Sequence, residues 1–182
     1  LTYLAYTQLP ALCAETGTQL VYQPMLLGGV FKATGNASPI TVPAKGRYMF
    51  NDLARYAKRY NVTLKFNPHF PINTLVLMRA VTGIQLRQPE RFQAFIDCLF
   101  RAIWVEGRNL GDPAGVAAVL TEAGFDPDEV LALANDERTK TALKDKTEEA
   151  IQRGVFGAPS MFVGNDMFFG QDRLDFVREA LS

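Results

Sequence analysis

The sequence predicts an α/β fold in which the sheet-forming segments lie at the two ends of the chain, interrupted by a large all-helical insertion. Three observations predict it. Residues 1–27 read as a helix followed by a short strand, and residues 28–137 carry helical periodicity and loops. Residues 138–182 run helix, two short strands, then a closing amphipathic helix.

Composition bounds the possibilities before any motif is read. With 182 residues, 48% of them apolar, the chain can bury a core of its own. Lys plus Arg equals Asp plus Glu at 19 each, so no bulk charge argues for a nucleic-acid partner. No stretch approaches the roughly 18 uninterrupted apolar residues of a membrane span, and "LTYLAYTQLPALCAETG" does not read as a signal peptide. The expectation is a soluble, cytoplasmic protein. Cys13 and Cys98 lie 85 residues apart among apolar neighbours, and no CxxC occurs. They read as buried small hydrophobes rather than a disulfide framework, a metal cluster or a reactive pair. Asn36-Ala37-Ser38 spells a glycosylation sequon, read as accidental for want of a secretory signal.

The elements follow in order. Residues 2–16 place Tyr3, Leu4, Leu9 and Leu12 near helical spacing and stop at Gly17, with Pro10 well inside. The chain opens on Leu1 already within this helix, so a first strand is expected to be missing ahead of it. "TQLVYQPML" alternates and ends near Pro24, which suggests a short strand and the start of a βαβ unit. "GGVFKATGNASPITVPAKG" is rich in Gly, Pro, Ser and Thr and predicts a loop with at most one helical turn. From Lys45 to Tyr60 a helix is predicted, with Tyr48, Leu53, Tyr56 and Ala57 on one side. "VTLKFNPHFPIN" is extended and broken by proline, and Asn73 is placed to cap a helix through "TLVLMRAVTG". Pro89 opens the most strongly patterned helix, with Phe92, Phe95, Ile96, Leu99 and Ile103 in one stripe. Trp104 and Phe100 share a face of it and read as core packing or a wall over a site. Further helices are predicted after Asp112-Pro113, after Asp126-Pro127 and over 137–153. "SMFVG" and "DMFFG" around Gly164-Asn165 form a hairpin signal, and "QDRLDFVREALS" closes the chain as a helix.

The stretch "GVFGAPSMFVGNDMFFGQDRL" poses one question, because a proline cannot donate to a β-ladder. Pro159 is either an ordinary strand-start proline or the second residue of a cis Ala158-Pro159 bond. In the second reading, the bond leaves the N–H and C=O of Ala158 facing outward, able to pair with a peptide-like ligand as an added strand. Single His69, beside Pro68, reads as an ordinary loop residue, since sequence shows no orienting partner for it.

This order of elements, with a proline at the threshold of the hairpin, is the thioredoxin pattern interrupted by a helical domain. The blocks "PMLLGGVFKATGN", "KGRYMFNDLARYA", "FNPHFPIN" and "GVFGAPSMFVGNDMFFGQDRL" together resemble 2-hydroxychromene-2-carboxylate isomerase and the kappa-class glutathione transferases, of the DsbA-like thioredoxin superfamily. The resemblance runs from end to end. It implies a thioredoxin-like domain over 1–27 and 138–182, with 28–137 as the helical insertion.

The resemblance further implies glutathione as cofactor or cosubstrate and a small aromatic carboxylate as substrate. It implies that Ala158, beside Pro159, pairs through its main chain with the cysteinyl unit, and that Gln171 and Asp172 hold the γ-glutamyl end. Asp172 equally suits a helix cap, and both roles can coexist. Asn36 and Lys45 match positions that receive the glycyl carboxylate; for Lys45 a solvated surface role is the alternative. Lys32 is a candidate for the substrate's carboxylate, and Arg173 reads as a solvated or paired surface residue. The family's catalytic serine falls just before Leu1, so no catalytic residue is assigned; Thr2 matches a later hydroxyl of that motif. The implied reaction is glutathione-dependent isomerisation by reversible thiolate addition. A kappa-like transferase, or a glutathione- or peptide-binding module without turnover, stands as the alternative. A disulfide oxidoreductase fits poorly without a thiol pair. Kappa-type relatives form dimers, which makes a homodimer possible. No metal site is expected.

Overall fold

In the computed structural model, which describes residues 1–182, the chain divides into two units. The first comprises Leu1–Gln23, Leu27–Thr63 and Ile151–Ser182; the second comprises Pro24–Leu26 and Leu64–Ala150. These cuts fall elsewhere than the expected 27/28 and 137/138, because residues 27–63 associate with the two ends of the chain.

In the first unit, α1 (Thr2–Glu15) buries Leu4, Ala5, Leu12 and Cys13, while Pro10 lies exposed. Gly17, at φ +65, stops the helix, and the Thr18 N–H turns back to the Cys13 carbonyl at 2.9 Å. α2 (Leu27–Thr34) replaces the predicted loop: Val30 is fully buried and Thr34 Oγ1 donates to its carbonyl, so one apolar anchor stabilises two turns despite Gly28 and Gly29. A single 3₁₀ turn (Pro39–Thr41) leads to α3 (Pro43–Tyr60), which buries Leu53 and Ala57 but leaves Tyr48 exposed, against the predicted shared face. Helix α9 (Leu174–Leu181) and the hairpin β1 (Ser160–Val163) and β2 (Asp166–Phe169) complete the unit. Leu12, Leu174 and Val177 form its core with Leu9, Tyr60, Met161, Val163 and Phe168 packed around them. At about 25 cal/mol per Å², such burial is what holds three sequence-distant segments together. Arg178 and Glu15 add an exposed ion pair of small worth.

The predicted strand over 18–26 is absent. The only sheet is the hairpin, and a segment with no neighbouring strand cannot form ladder hydrogen bonds.

The second unit holds α4 (Leu75–Arg87), α5 (Phe92–Trp104), α6 (Pro113–Glu122), α7 (Pro127–Asn135) and most of α8 (Glu137–Gln152). Asp112 and Asp126 cap α6 and α7 by accepting from the Ala114 and Asp128 amides, as aspartate before proline predicts. Asn73 accepts the Leu75 amide at 3.0 Å. Pro89 opens a 3₁₀ turn (Pro89–Arg91) before α5 begins. A Cβ on Gly83 would sit 3.0 Å from Leu133 Cβ, so this glycine permits the close approach of α4 and α7. The Asn67 amide, fully buried, donates to the Ile103 and Arg108 carbonyls and accepts the His69 N–H, which orders the proline-rich loop. Trp104 packs on Phe70 with centroids 5.4 Å apart, both side chains half-buried.

Candidate functional site

The Gly164-Asn165 turn sets the register of the hairpin, pairing Val163 with Asp166 and, at the open end, Ser160 with Phe169. One residue further out, the Pro159 carbonyl accepts the Gly170 N–H at 3.0 Å. The ladder stops there; the residue before it, Ala158, is joined to Pro159 by a cis bond. Ser160 Oγ donates to the Gly157 carbonyl at 2.8 Å and closes the corner. Ala158, half-buried, thus stands outside the ladder with a donor and an acceptor on its main chain, a sheet edge that an extended peptide can extend.

Opposite this corner, Gly170 at φ +103 turns the chain into a 3₁₀ turn (Gln171–Arg173) that precedes α9. A Cβ at Gly170 would lie 2.5 Å from Asp172 Oδ1, so the glycine makes room for that carboxylate. Asp172 makes no helix-capping bond; its Oδ2 pairs with Arg173 at 2.9 Å, and both side chains are about half exposed. Gln171 is buried, 2% exposed, and its Oε1 and main-chain carbonyl both face the Tyr60 hydroxyl at 2.9 Å. Burial, reinforced by Tyr56 and opposed by Arg59, pushes the Tyr60 phenol up to about 12. Gln171 therefore fixes the turn, and Asp172 is the member of the pair that presents its charge outward.

On the other flank, Asn36 Nδ2 donates to the Phe156 carbonyl at 2.7 Å while its Oδ1 accepts the Ala37 amide at 2.9 Å. The Phe156 ring lies against Phe169 with centroids 4.6 Å apart, and a Cβ on Gly157 would be 2.8 Å from the Phe169 ring. Asn36, Ala158, Pro159, Gln171 and Asp172 are thereby joined through a continuous set of contacts around the cis bond. Phe156, Phe169, Gly157, Gly170 and Tyr60 belong to the same constellation and were missed from sequence; the aromatic flanking of "FGAP" was the one signal available.

Lys45, exposed on the first turn of α3, lines a separate cleft of about 440 Å³ with Leu1, Pro39, Tyr48, Met49 and Asp52. This cleft reaches the start of α1, where Thr2 opens the helix. Lys32, exposed in the last turn of α2, has no contact that ties it to the cis-proline corner. Cys13 is buried in α1, and burial raises the half-buried Cys98 thiol to about 11, where it is a poor nucleophile. No group of three or more His, Cys, Asp or Glu gathers to hold a metal ion, and no helix is long and apolar enough to cross a membrane.

The DSBA-like thioredoxin domain family matches residues 2–182 of the chain. The 2-hydroxychromene-2-carboxylate isomerase of Sphingobium xenophagum is 31% identical over 182 residues, spanning 99% of this chain and 91% of that protein. Glutathione S-transferase kappa 1 of Homo sapiens is 29% identical over 174 residues, spanning 89% of this chain and 77% of that one. A solved structure of a 2-hydroxychromene-2-carboxylate isomerase superposes with a TM-score of 0.84 at 27% identity, covering 99% of this chain and 88% of its own.

Proposed function

This chain belongs to the DSBA-like thioredoxin domain family, and on that footing we propose that it is a glutathione-dependent isomerase of the 2-hydroxychromene-2-carboxylate type. Its fold is the DsbA-like thioredoxin fold with a large helical part, and its relatives are enzymes acting on small molecules. The observation that carries the finer reading is the main-chain edge at Ala158, set outside the hairpin ladder by the cis Pro159 and facing the Gly170 turn.

Glutathione presents a backbone-like cysteinyl unit between two charged ends, and the residues here fit those demands. The Ala158 N–H and C=O would take the cysteinyl unit as one more strand. Asp172, its carboxylate outward beside Gly170, would meet the γ-glutamyl ammonium, sharing it with or displacing Arg173. Gln171 would act from beneath, its carboxamide steadied by Tyr60. Lys45, in the cleft at the start of α1, would receive the glycyl carboxylate, with Asn36 set by resemblance at the same end. Lys32 is the cation proposed for the substrate's carboxylate. When bound, glutathione would supply the thiolate whose reversible addition converts a substrate double bond into a rotatable single bond. The protein's part is to hold that sulfur in one place and orient an aromatic acid beside it.

A second reading is favoured by the kappa relative: the same site would serve a transferase that leaves the sulfur on its product. Calorimetric titration with glutathione, with S-methylglutathione as the thiol-blocked control, tests the site itself. Saturable binding followed by turnover of a chromene carboxylate without a stable conjugate supports the isomerase. A stable conjugate selects the transferase, and no binding by the folded protein overturns both.

A further inference from the structure

We propose that the outward face of α3 docks onto an anionic phospholipid surface, its cations on the lipid headgroups and Tyr48 seated among them. The 18 residues of this helix hold five Lys and Arg (Lys45, Arg47, Arg55, Lys58 and Arg59) against one acid, Asp52. In a chain whose Lys plus Arg equals its Asp plus Glu, positive charge is thus concentrated on one element. At about 100° per residue, Tyr48, Arg55 and Arg59 project opposite the buried Gly46, Leu53 and Ala57, with Arg47 and Lys58 beside them. All five of these outward side chains are exposed, Tyr48 by 64%.

Little within the chain answers this charge. Arg55 has a carboxylate partner, Asp52 at 3.3 Å, in an exposed pair of small worth. Arg47, Lys58 and Arg59 pair with no carboxylate, and Arg59 instead lies over the Tyr56 ring, 5.3 Å from its centroid. Tyr60, which feels Asp172 and Asp175, turns to the buried Gln171 and lies off this face. A tyrosine exposed in the middle of a basic stripe sets an amphipathic ring beside cations, the pairing that suits a headgroup layer. A nucleic-acid strand asks instead for a basic groove that tracks its backbone. The cleft beside α3 holds one cation, Lys45, with Asp52 close by. Overall neutrality also gives the chain no long-range field to steer a polyanion, whereas a lipid surface supplies its own negative potential.

The test is co-sedimentation of the folded chain with vesicles of phosphatidylcholine alone, and of phosphatidylcholine and phosphatidylserine in equal parts, over a range of salt. Binding is expected to the anionic vesicles only, falling as salt screens the attraction over about 8–10 Å. Arg47→Gln, Arg55→Gln, Lys58→Gln and Arg59→Gln should each weaken it about fivefold, and the four together should abolish it. Lys45 is kept in every variant, because it is proposed for glutathione. Arg138→Gln, Lys140→Gln, Lys144→Gln and Lys146→Gln, made together on α8, change the net charge by the same amount and should leave binding intact. Tyr48→Ala should weaken binding without altering its salt dependence; full binding by this variant overturns the seat given to Tyr48. Circular dichroism checks that each variant keeps its fold, as exposed positions allow. No binding by wild type, equal binding to both vesicles, equal loss from the α8 set, or undiminished binding by the α3 set overturns the proposal. Single-stranded DNA that displaces the vesicles at equal salt would assign the face to nucleic acid and overturn it too.

Discussion

The Tyr60 hydroxyl lies 2.9 Å from both the main-chain carbonyl and Oε1 of Gln171, so the end of α3 is tied directly to the turn that carries Asp172. A single hydroxyl proton serves two acceptors of one buried residue, which fixes that turn without using a charge.

Tyr60→Phe is expected to cost about 1 kcal/mol of stability at neutral pH, the worth of one hydrogen bond left unmade. The alkaline limb carries the sharper test. Burial raises the folded-state phenol from 10.0 to about 12, so between those values the native state holds a proton that the unfolded chain has released. The stability this contributes is complete below pH 10.0 and is lost as pH rises toward about 12. Denaturant melts across that window should therefore fall more steeply for wild type than for Tyr60→Phe. Equal slopes would show that the phenol titrates normally.

Gly170→Ala follows from two independent constraints. The backbone is at φ +103, where a side chain is strained, and the new Cβ would meet Asp172 Oδ1 at 2.5 Å. The expected loss is about 1–3 kcal/mol in a thermal or chemical melt. Because Asp172 must move, glutathione affinity should fall as well. A stable variant with intact affinity would mean that the carboxylate's position is not set by this glycine.

What was legible in the sequence was local. Asp112 and Asp126 before proline announced two capped helices, and Gly164-Asn165 announced the hairpin, because caps and turns depend on residues a few positions apart. Pro159 left two readings standing; the cis bond is the one found. α2 was hidden because Gly28 and Gly29 outweigh, in composition, the single buried Val30 that holds it. The strand expected near Val21 failed for the opposite reason: alternation was present, but a strand needs a neighbour that a local pattern cannot supply. Within the candidate site, Asp172 and Ala158 were proposed through resemblance. The contacts of Tyr60 with Gln171 and of Asn36 with Phe156 join residues more than a hundred positions apart, and no spacing rule reaches so far.

Asp172→Ala should leave the melting temperature nearly unchanged, since its one ion pair is half exposed and worth little to the fold. Affinity for glutathione should drop about 10- to 100-fold if the carboxylate meets the ligand's ammonium in a charge-assisted hydrogen bond. Arg173→Ala separates the partners: it removes the competitor for Asp172 and should not weaken binding. Unchanged affinity in Asp172→Ala, read by calorimetry, would remove Asp172 from the site.

Lys45→Met keeps the apolar stem that lines the cleft beside Tyr48 and Met49 and removes only the ammonium. If that ammonium meets the glycyl carboxylate, affinity for glutathione should fall about three- to tenfold, whereas affinity for γ-glutamylcysteine should fall much less. The wild-type preference for glutathione should also shrink with added salt, because Lys45 is exposed and its attraction is screened over about 8–10 Å. Parallel losses on both ligands for Lys45→Met would place its ammonium away from the glycyl carboxylate.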